Sequence, residues 1–420
     1  MSEGVAAAPP LVSIRRARVL GVVFIAVGVL IAIAFGGVAG GLHSRFGLNP
    51  TPARGLHLPD LVVPSRTTAL FLAAVCAFLG GVQLTRGFGR RANLVLGIVA
   101  LLFVFAFLTW AARDQSLSLV GLLESTLLRS VPITFGALSG VLCERSGVIN
   151  IGIEGMLLSA AFVGSVLGSV SGNLWIGLAM GMVTGGLLGW MLAVLAIRYR
   201  VDQIVAGTVI NIFALGITSY LFASFLESNQ DLNNPGRFQN IAIPVLSKIP
   251  VVGPVLFNNN VFVYLMFLLL AVAQVGLFHT RWGLRVRAVG EHPQAADTVG
   301  IRVLYTRYRN VVLGGAVAGI GGAYFSLASV GRFDQGMTAG RGFIGLAAMI
   351  FGRWNPLGAF GAAVIFGFAD SLQTKLSILN VPIPSEFLGM APYIATILVV
   401  AGAVHRSRPP AADGKPYVKQ

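Results

Sequence analysis

Thr280 to Asn310 reads T-R-W-G-L-R-V-R-A-V-G-E-H-P-Q-A-A-D-T-V-G-I-R-V-L-Y-T-R-Y-R-N, the one long polar and basic stretch set between two strongly apolar runs. It carries six arginines, at 281, 285, 287, 302, 307 and 309, against Glu291 and Asp297. Pro293 suits a first helical turn, Gln294 to Val299 can continue it, and Gly300 can stop it. A short helix of small side chains, held at a membrane surface by flanking arginines, is the shape needed to dock into a groove on a soluble partner. An ordinary positive cytoplasmic loop is the other reading of the same composition.

The rest of the chain sets the context. Of its 420 residues 55% are hydrophobic and only 11% charged, with a mean hydropathy of +0.82. A soluble domain carries roughly 25% charged residues, so this is an integral membrane protein with membrane lipid around it. The 53 glycines suit closely packed membrane helices. A net charge of +15 would suit nucleic acid, but the cations sit in short clusters between apolar runs, the pattern of the positive-inside rule. Nucleic acid is not an expected partner. Cys76 and Cys143 have no metal-ligand spacing, and the histidines at 43, 57, 279, 292 and 405 are scattered, so neither a metal nor a cofactor is expected.

Arg15, Arg16 and Arg18 precede an apolar run over 19–41, too long for a signal-peptide core and read as an uncleaved first helix. A Pro-rich loop over 42–66 follows. Further spans are expected at 67–85, 92–112, 117–142, 148–170, 174–197, 203–226, 260–279, 308–330, 341–352, 356–375 and 388–405. The run 341–352 is short for a full crossing and suits a half-helix or re-entrant piece. The expected fold is an all-α integral membrane protein, a polytopic helical bundle of about 12 membrane segments. With the N-terminus inside, twenty of the 30 lysines and arginines fall in cytoplasmic segments, which favours both termini in the cytoplasm and places 280–310 there. The loop 227–259 then falls outside, either a plain solvated loop or a surface for an extracytoplasmic partner.

An ionisable side chain within a span costs roughly 2.5–3.5 kcal/mol at its centre, so each asks for a reason. Glu124, Arg129, Glu154 and Asp370 are the cases. Glu124 and Arg129 are read as structural. Asn150 and Glu154 lie at i and i+4 in G-V-I-N-I-G-I-E-G-M, hence on one helical face among glycines, as a bundle-facing hydrogen-bond network or a pathway lining. Asp370 with Gln373, and Asn211 with Thr208, are weaker cases of the same kind. Trp190, Phe213, Tyr324 and Phe351 could stack on a planar solute, though lipid and core packing use aromatics more often. No catalytic constellation is present. The one Gly-Lys pair, Gly414-Lys415, is followed by Pro416, so no Walker A motif exists. Work on a solute must therefore draw on an ion gradient or on another polypeptide.

Three blocks carry a family resemblance. The pattern A-x-G-x-x-x-x-A-A-x-x-x-G-I, here Ala288, Gly290, Ala295, Ala296, Gly300 and Ile301 with Glu291 and Gln294 inside it, resembles the coupling loop of ABC importer permeases, Gln294 standing where many have Glu. C-E-R-S-G-V-I-N-I-G-I-E-G-M-L-L (143–158) and G-F-I-G-L-A-A-M-I-F-G-R-W-N-P-L-G-A-F-G (342–361) resemble segments of the simple-sugar and nucleoside branch of the branched-chain-amino-acid/ribose-type permeases. The likeness covers about 117–405, leaving 1–116 as an N-terminal extension and 406–420 as a basic cytoplasmic tail. It implies no enzyme but half of a translocation path for a nucleoside or simple sugar in a bacterial-type plasma membrane. Its implied partners are a second, homologous permease subunit, a cytoplasmic ABC ATPase docked on 280–310 and an extracytoplasmic substrate-binding lipoprotein. The rival is an ion-driven secondary transporter in which Glu154 or Asp370 titrates.

Overall fold

The computed structural model describes residues 14–49, 58–379, 381, 390 and 408–419. They divide into two compact units, one within Met1–Val120 and Lys375–Ile383, the other within Gly121–Thr374 and Pro384–Gln420.

The first unit holds α1 (Ile14–Phe35), β1 (His43–Gly47), β2 (Leu61–Pro64), α2 (Ser65–Thr85), α3 (Ala92–Ala111) and β3 (Ser116–Ser118). Its helices close around Phe24, Ile31, Ala69, Cys76, Val99 and Ala106. Small residues let α1 and α2 approach: a Cβ on Gly28 would lie 2.7 Å from the Ala73 carbonyl oxygen. Ile33, Phe71, Phe78 and Leu101 stay exposed on the outer faces, the surface a lipid-embedded bundle needs. The expected loop 42–66 instead begins and ends in strand. β1 pairs antiparallel with β2 and parallel with β3, so a three-stranded sheet accompanies the helices of this unit. Buried Ser44 fastens it by bonding the Ser65 hydroxyl at 2.7 Å and donating to the Thr109 carbonyl at 2.6 Å.

The second unit runs through α4 (Leu119–Glu144), α5 (Ile153–Ser171), α6 (Leu174–Ala193), α7 (Gln203–Leu221), β4 (Ile241–Ala242), α8 (Val252–Phe257), β5 (Asn258–Asn259) and α9 (Val261–His279). It continues with α10 (Arg281–Glu291), α11 (Pro293–Thr298), α12 (Val303–Tyr324), α13 (Arg341–Phe351) and α14 (Pro356–Ile378). Within its apolar window α4 is 89% buried and α7 only 22%, so α4 is central and α7 faces outward. The α6–α12 crossing is built on glycine. Gly181, Gly185 and Gly189 recur every fourth residue and meet Gly315 and Gly319 on the partner helix.

Among the described residues ten helices are long and apolar enough to cross a membrane. They match ten of the expected spans, though α12 starts at Val303 and takes in Arg307 and Arg309, both assigned to the loop by sequence. The short run expected over 341–352 is α13, whose 11 residues span roughly 16 Å against a ~30 Å core. The expected span 388–405 lies outside the described residues, apart from Met390. The loop 227–259 is structured rather than plain. Asn233 anchors it, accepting from the Ser165 hydroxyl and the Phe333 amide at 2.7 Å each.

Candidate functional site

The basic stretch folds into two short helices carried between two long ones. Thr280 ends α9 and caps α10, its hydroxyl accepting from the Gly283 amide. Pro293 opens α11 at its first turn, and Nδ1 of His292 accepts from the Ala295 amide. Gly300, at φ +83°, turns the chain into α12, and the Ile301 amide closes on the Ala296 carbonyl. The helix expected over 293–299 is therefore present.

Its two alanines differ. Ala296 is 3% exposed and packs on Val289, Val303 and Tyr417, with Ala288 and Ile301 alongside. Gln294 and Ala295 are exposed. The small size of Ala296 thus serves the inside of the loop. Gly290 is also explained: a Cβ there would collide with the Arg145 carbonyl group.

Residues 408–419, within the basic tail expected over 406–420, lie against this loop. The Ala412 amide donates to the Gly290 carbonyl at 2.9 Å, and the Ala411 amide to the Glu291 carboxylate at 3.2 Å. Arg307, 2% exposed, donates to the Lys415 carbonyl at 2.9 Å, and Tyr417 covers Ala296. These contacts were missed. The signal was one tyrosine after an Asp-Gly turn (Gly414 φ +72°) in a polar tail, too local to name its seat.

Asp413 reaches the Glu144 carboxyl, with Arg307 nearby, and burial pushes its own carboxyl up from 3.8 to about 6. The docked tail thus holds a proton that a released tail gives up between about pH 4 and 6, so docking weakens as pH rises through that window. Asp413→Asn should remove that slope and hold the tail more firmly at pH 7. Hydrogen exchange at the Ala412 amide, corrected for the intrinsic pH dependence, reads this directly; an unchanged slope refutes it.

Within the bundle, Asn150 and Glu154 do not share a face. Gly147 (φ +86°) breaks the chain after α4, residues 148–151 are not helical, and α5 begins only at Ile153. The i, i+4 argument fails because its first residue precedes the helix. Asn150, fully buried, turns to Ser139, Cys143 and Met156. Glu154 turns to α13: it accepts from the Thr338 hydroxyl at 2.6 Å and from the Gly340 and Gly342 amides at 2.8 and 2.6 Å. It caps the half-helix from a neighbouring element, satisfying N–H groups that a helix start leaves open. Gly342 is small because a Cβ there would sit 2.7 Å from the Glu154 backbone.

Asp370 pairs with Arg129 at 2.7 Å and Arg341 at 3.3 Å, and Arg129 also donates to Thr374. Asn211 clamps the chain break before α5, accepting from the Gly155 amide and donating to the Ile151 carbonyl. Asn150, Glu154, Asn211 and Asp370 are thus each tied to a second element. Tyr324 is core, its hydroxyl on the Leu128 carbonyl, whereas Trp190 and Phe213 are exposed.

Residues 122–401 match the family described as branched-chain amino acid transport system / permease component. The chain is 40% identical over 316 residues to the guanosine ABC transporter permease protein NupQ of Bacillus subtilis, covering 73% of this chain and 98% of NupQ. It is 38% identical over 312 residues to the nucleoside ABC transporter permease protein NupC of Lactococcus lactis, covering 71% and 96%. A second Bacillus subtilis guanosine ABC transporter permease protein, NupP, is 26% identical over 291 residues, covering 66% and 80%. No solved structure matches. The chain belongs to the branched-chain amino acid transport system permease family, as a multi-pass permease subunit of an ATP-driven transport system and not an enzyme.

Proposed function

We propose that this chain forms half of the translocation path for a nucleoside in an importer of the bacterial plasma membrane, with both termini cytoplasmic. A second, related permease completes the path, an extracytoplasmic lipoprotein delivers the solute, and a separate ATPase takes up the loop 280–310. Residues 1–116 are an extension, 117–405 the permease core and 406–420 the basic tail. The substrate and the pairing rest on NupQ, NupC and NupP, two of which are permeases of one organism's guanosine transporter.

The observation that carries the coupling role is the presentation of α11. Gln294 and Ala295 face out on a helix whose other side is seated on Val289, Val303 and Tyr417. A seated peg transmits a push; a floppy loop absorbs it. The motion passes into α9 and α12, the long helices at either end.

Reconstitution tests the reading. Vesicles holding this chain, its second permease and the ATPase should accumulate guanosine on ATP addition when the binding lipoprotein is supplied, and this chain alone should accumulate none. Uptake by this chain alone, driven by an ion gradient, would establish the ion-driven carrier instead. Glu154→Gln separates the two further. Glu154 is a cap, so the variant should lose about 1–3 kcal/mol of stability yet retain uptake that an imposed pH gradient does not change. Loss of uptake without loss of folded protein would make Glu154 a titrating group.

A further inference from the structure

We propose that the flank of the loop formed by α10 and the start of α12 is a binding site for one anionic phospholipid whose headgroup carries hydroxyls. This rests on the chain lying in a membrane and not on which solute crosses it.

The site is a basin of about 970 Å³ walled by Arg281, Trp282, Arg285, Arg302, Arg309 and Asn310, with Tyr305 on its rim. Arg281 and Arg285 are four apart on α10, hence on one helical face. Arg302, the residue before α12, and Arg309, in its second turn, line the opposite wall. All four are exposed, and among the described residues none has an ion pair. The start of α12 has no side-chain cap, so its first N–H groups and the positive end of its dipole add to the field.

Two further features go beyond a merely basic surface. Asn310 is fully buried, its Oδ1 has no hydrogen-bond partner, and the indole N–H of Trp282 is likewise buried and unpartnered. Buried polar groups are normally paired, so this wall holds one acceptor and one donor in reserve. A phosphodiester answers the indole N–H and the guanidinium forks, and a headgroup hydroxyl answers the asparagine oxygen. Phosphatidylglycerol has both.

A second basic basin, lined by Arg16, Arg18, Arg86 and Arg90, lacks this reserve. Its Gln83 donates to the Ala17 carbonyl and accepts from the Phe88 amide, and its Arg16 donates to Asn93.

Exposed apolar surface beside the cations favours lipid over a soluble partner. Arg309 lies in the second turn of α12, and Leu284, Leu304 and Tyr305 around it are 61%, 41% and 63% exposed. A tyrosine beside a cation at the end of an apolar helix marks headgroup level.

The test uses the purified, delipidated full chain. Native mass spectrometry counts bound phosphatidylglycerol and phosphatidylcholine, with inorganic phosphate as a competitor. The expected result is one phosphatidylglycerol retained in preference to phosphatidylcholine. Arg302→Gln with Arg309→Gln should weaken that retention roughly thirtyfold. Arg18→Gln with Arg90→Gln should change it by less than about threefold. Trp282→Phe keeps an aromatic ring of smaller size, removes the N–H and should cost about fivefold. An unchanged melting temperature separates each effect from misfolding.

Equal retention of the two lipids, or equal loss in the Arg18/Arg90 variant, would overturn the site as mere charge. Displacement of phosphatidylglycerol by inorganic phosphate alone at millimolar concentration would overturn it as a free-anion site. Displacement by the ATPase subunit would overturn it as a protein contact.

Discussion

Ala295→Arg should leave the protein inserted and folded but reduce ATP-dependent uptake by about thirtyfold or more, while the ATPase still hydrolyses ATP. Ala295 is exposed on α11, so the longer side chain meets solvent in the isolated permease and costs the fold almost nothing. In the assembled transporter it would occupy the space of a docked groove. Loss of a central contact in a protein interface is worth about 2 kcal/mol or more, which sets the expected factor. Ala295→Ser, nearly as small, should retain uptake. Ala296→Arg is a different experiment. It would force a cation among Val289, Val303 and Tyr417 and unfold the loop from within, so loss of activity there would say nothing about docking. Uptake undiminished in folded Ala295→Arg would end the coupling role of this helix.

Gly185→Leu should abolish recovery of folded, monodisperse protein. A Cβ at Gly185 would collide with the Gly315 carbonyl oxygen and stand 2.6 Å from the Gly319 amide nitrogen and Cα. Both are backbone and cannot swing aside. Replacing a helical glycine by alanine gains about 1 kcal/mol of helix propensity, whereas overpacking a tight contact costs about 1–3. The clash therefore wins already for Gly185→Ala, and leucine, with three more carbons, must open the whole α6–α12 crossing. Gly216 supplies the control. It lies on outward-facing α7, and an added Cβ there meets nothing within 4 Å. Gly216→Ala should leave the melting temperature unchanged or raise it. Detergent-solubilised melting curves of the three variants decide the matter: equal temperatures for Gly185→Ala and Gly216→Ala would show that the close approach is not needed.

Features that depend on near neighbours in the chain were legible without a structure. A proline at the first turn and a glycine after the last bound α11 locally, so Pro293 and Gly300 announced it. The ten long apolar runs were equally plain, because hydrocarbon thickness sets a minimum length that sequence alone displays. Features that depend on distant contacts were not. Which alanine of the pair faces inward follows from Tyr417, more than a hundred residues away. Asn150 and Glu154 part company because α5 starts late, at a chain break that Asn211 holds by side-chain bonds. Arg307 counted as a loop cation until α12 and the 408–419 segment enclosed it.

By itself the amino-acid sequence determined the solvent this protein folds in, the positions of its long helices and the small-residue peg between two of them. Those are consequences of hydropathy, span length and turn chemistry, each readable within a few tens of residues. Only the tertiary structure decided where the polar groups within the spans are spent. In a hydrocarbon medium such groups need partners, and for Glu154 on the Gly342 amide and Asp370 on Arg129 the partner lies on another element, at a separation no local pattern records.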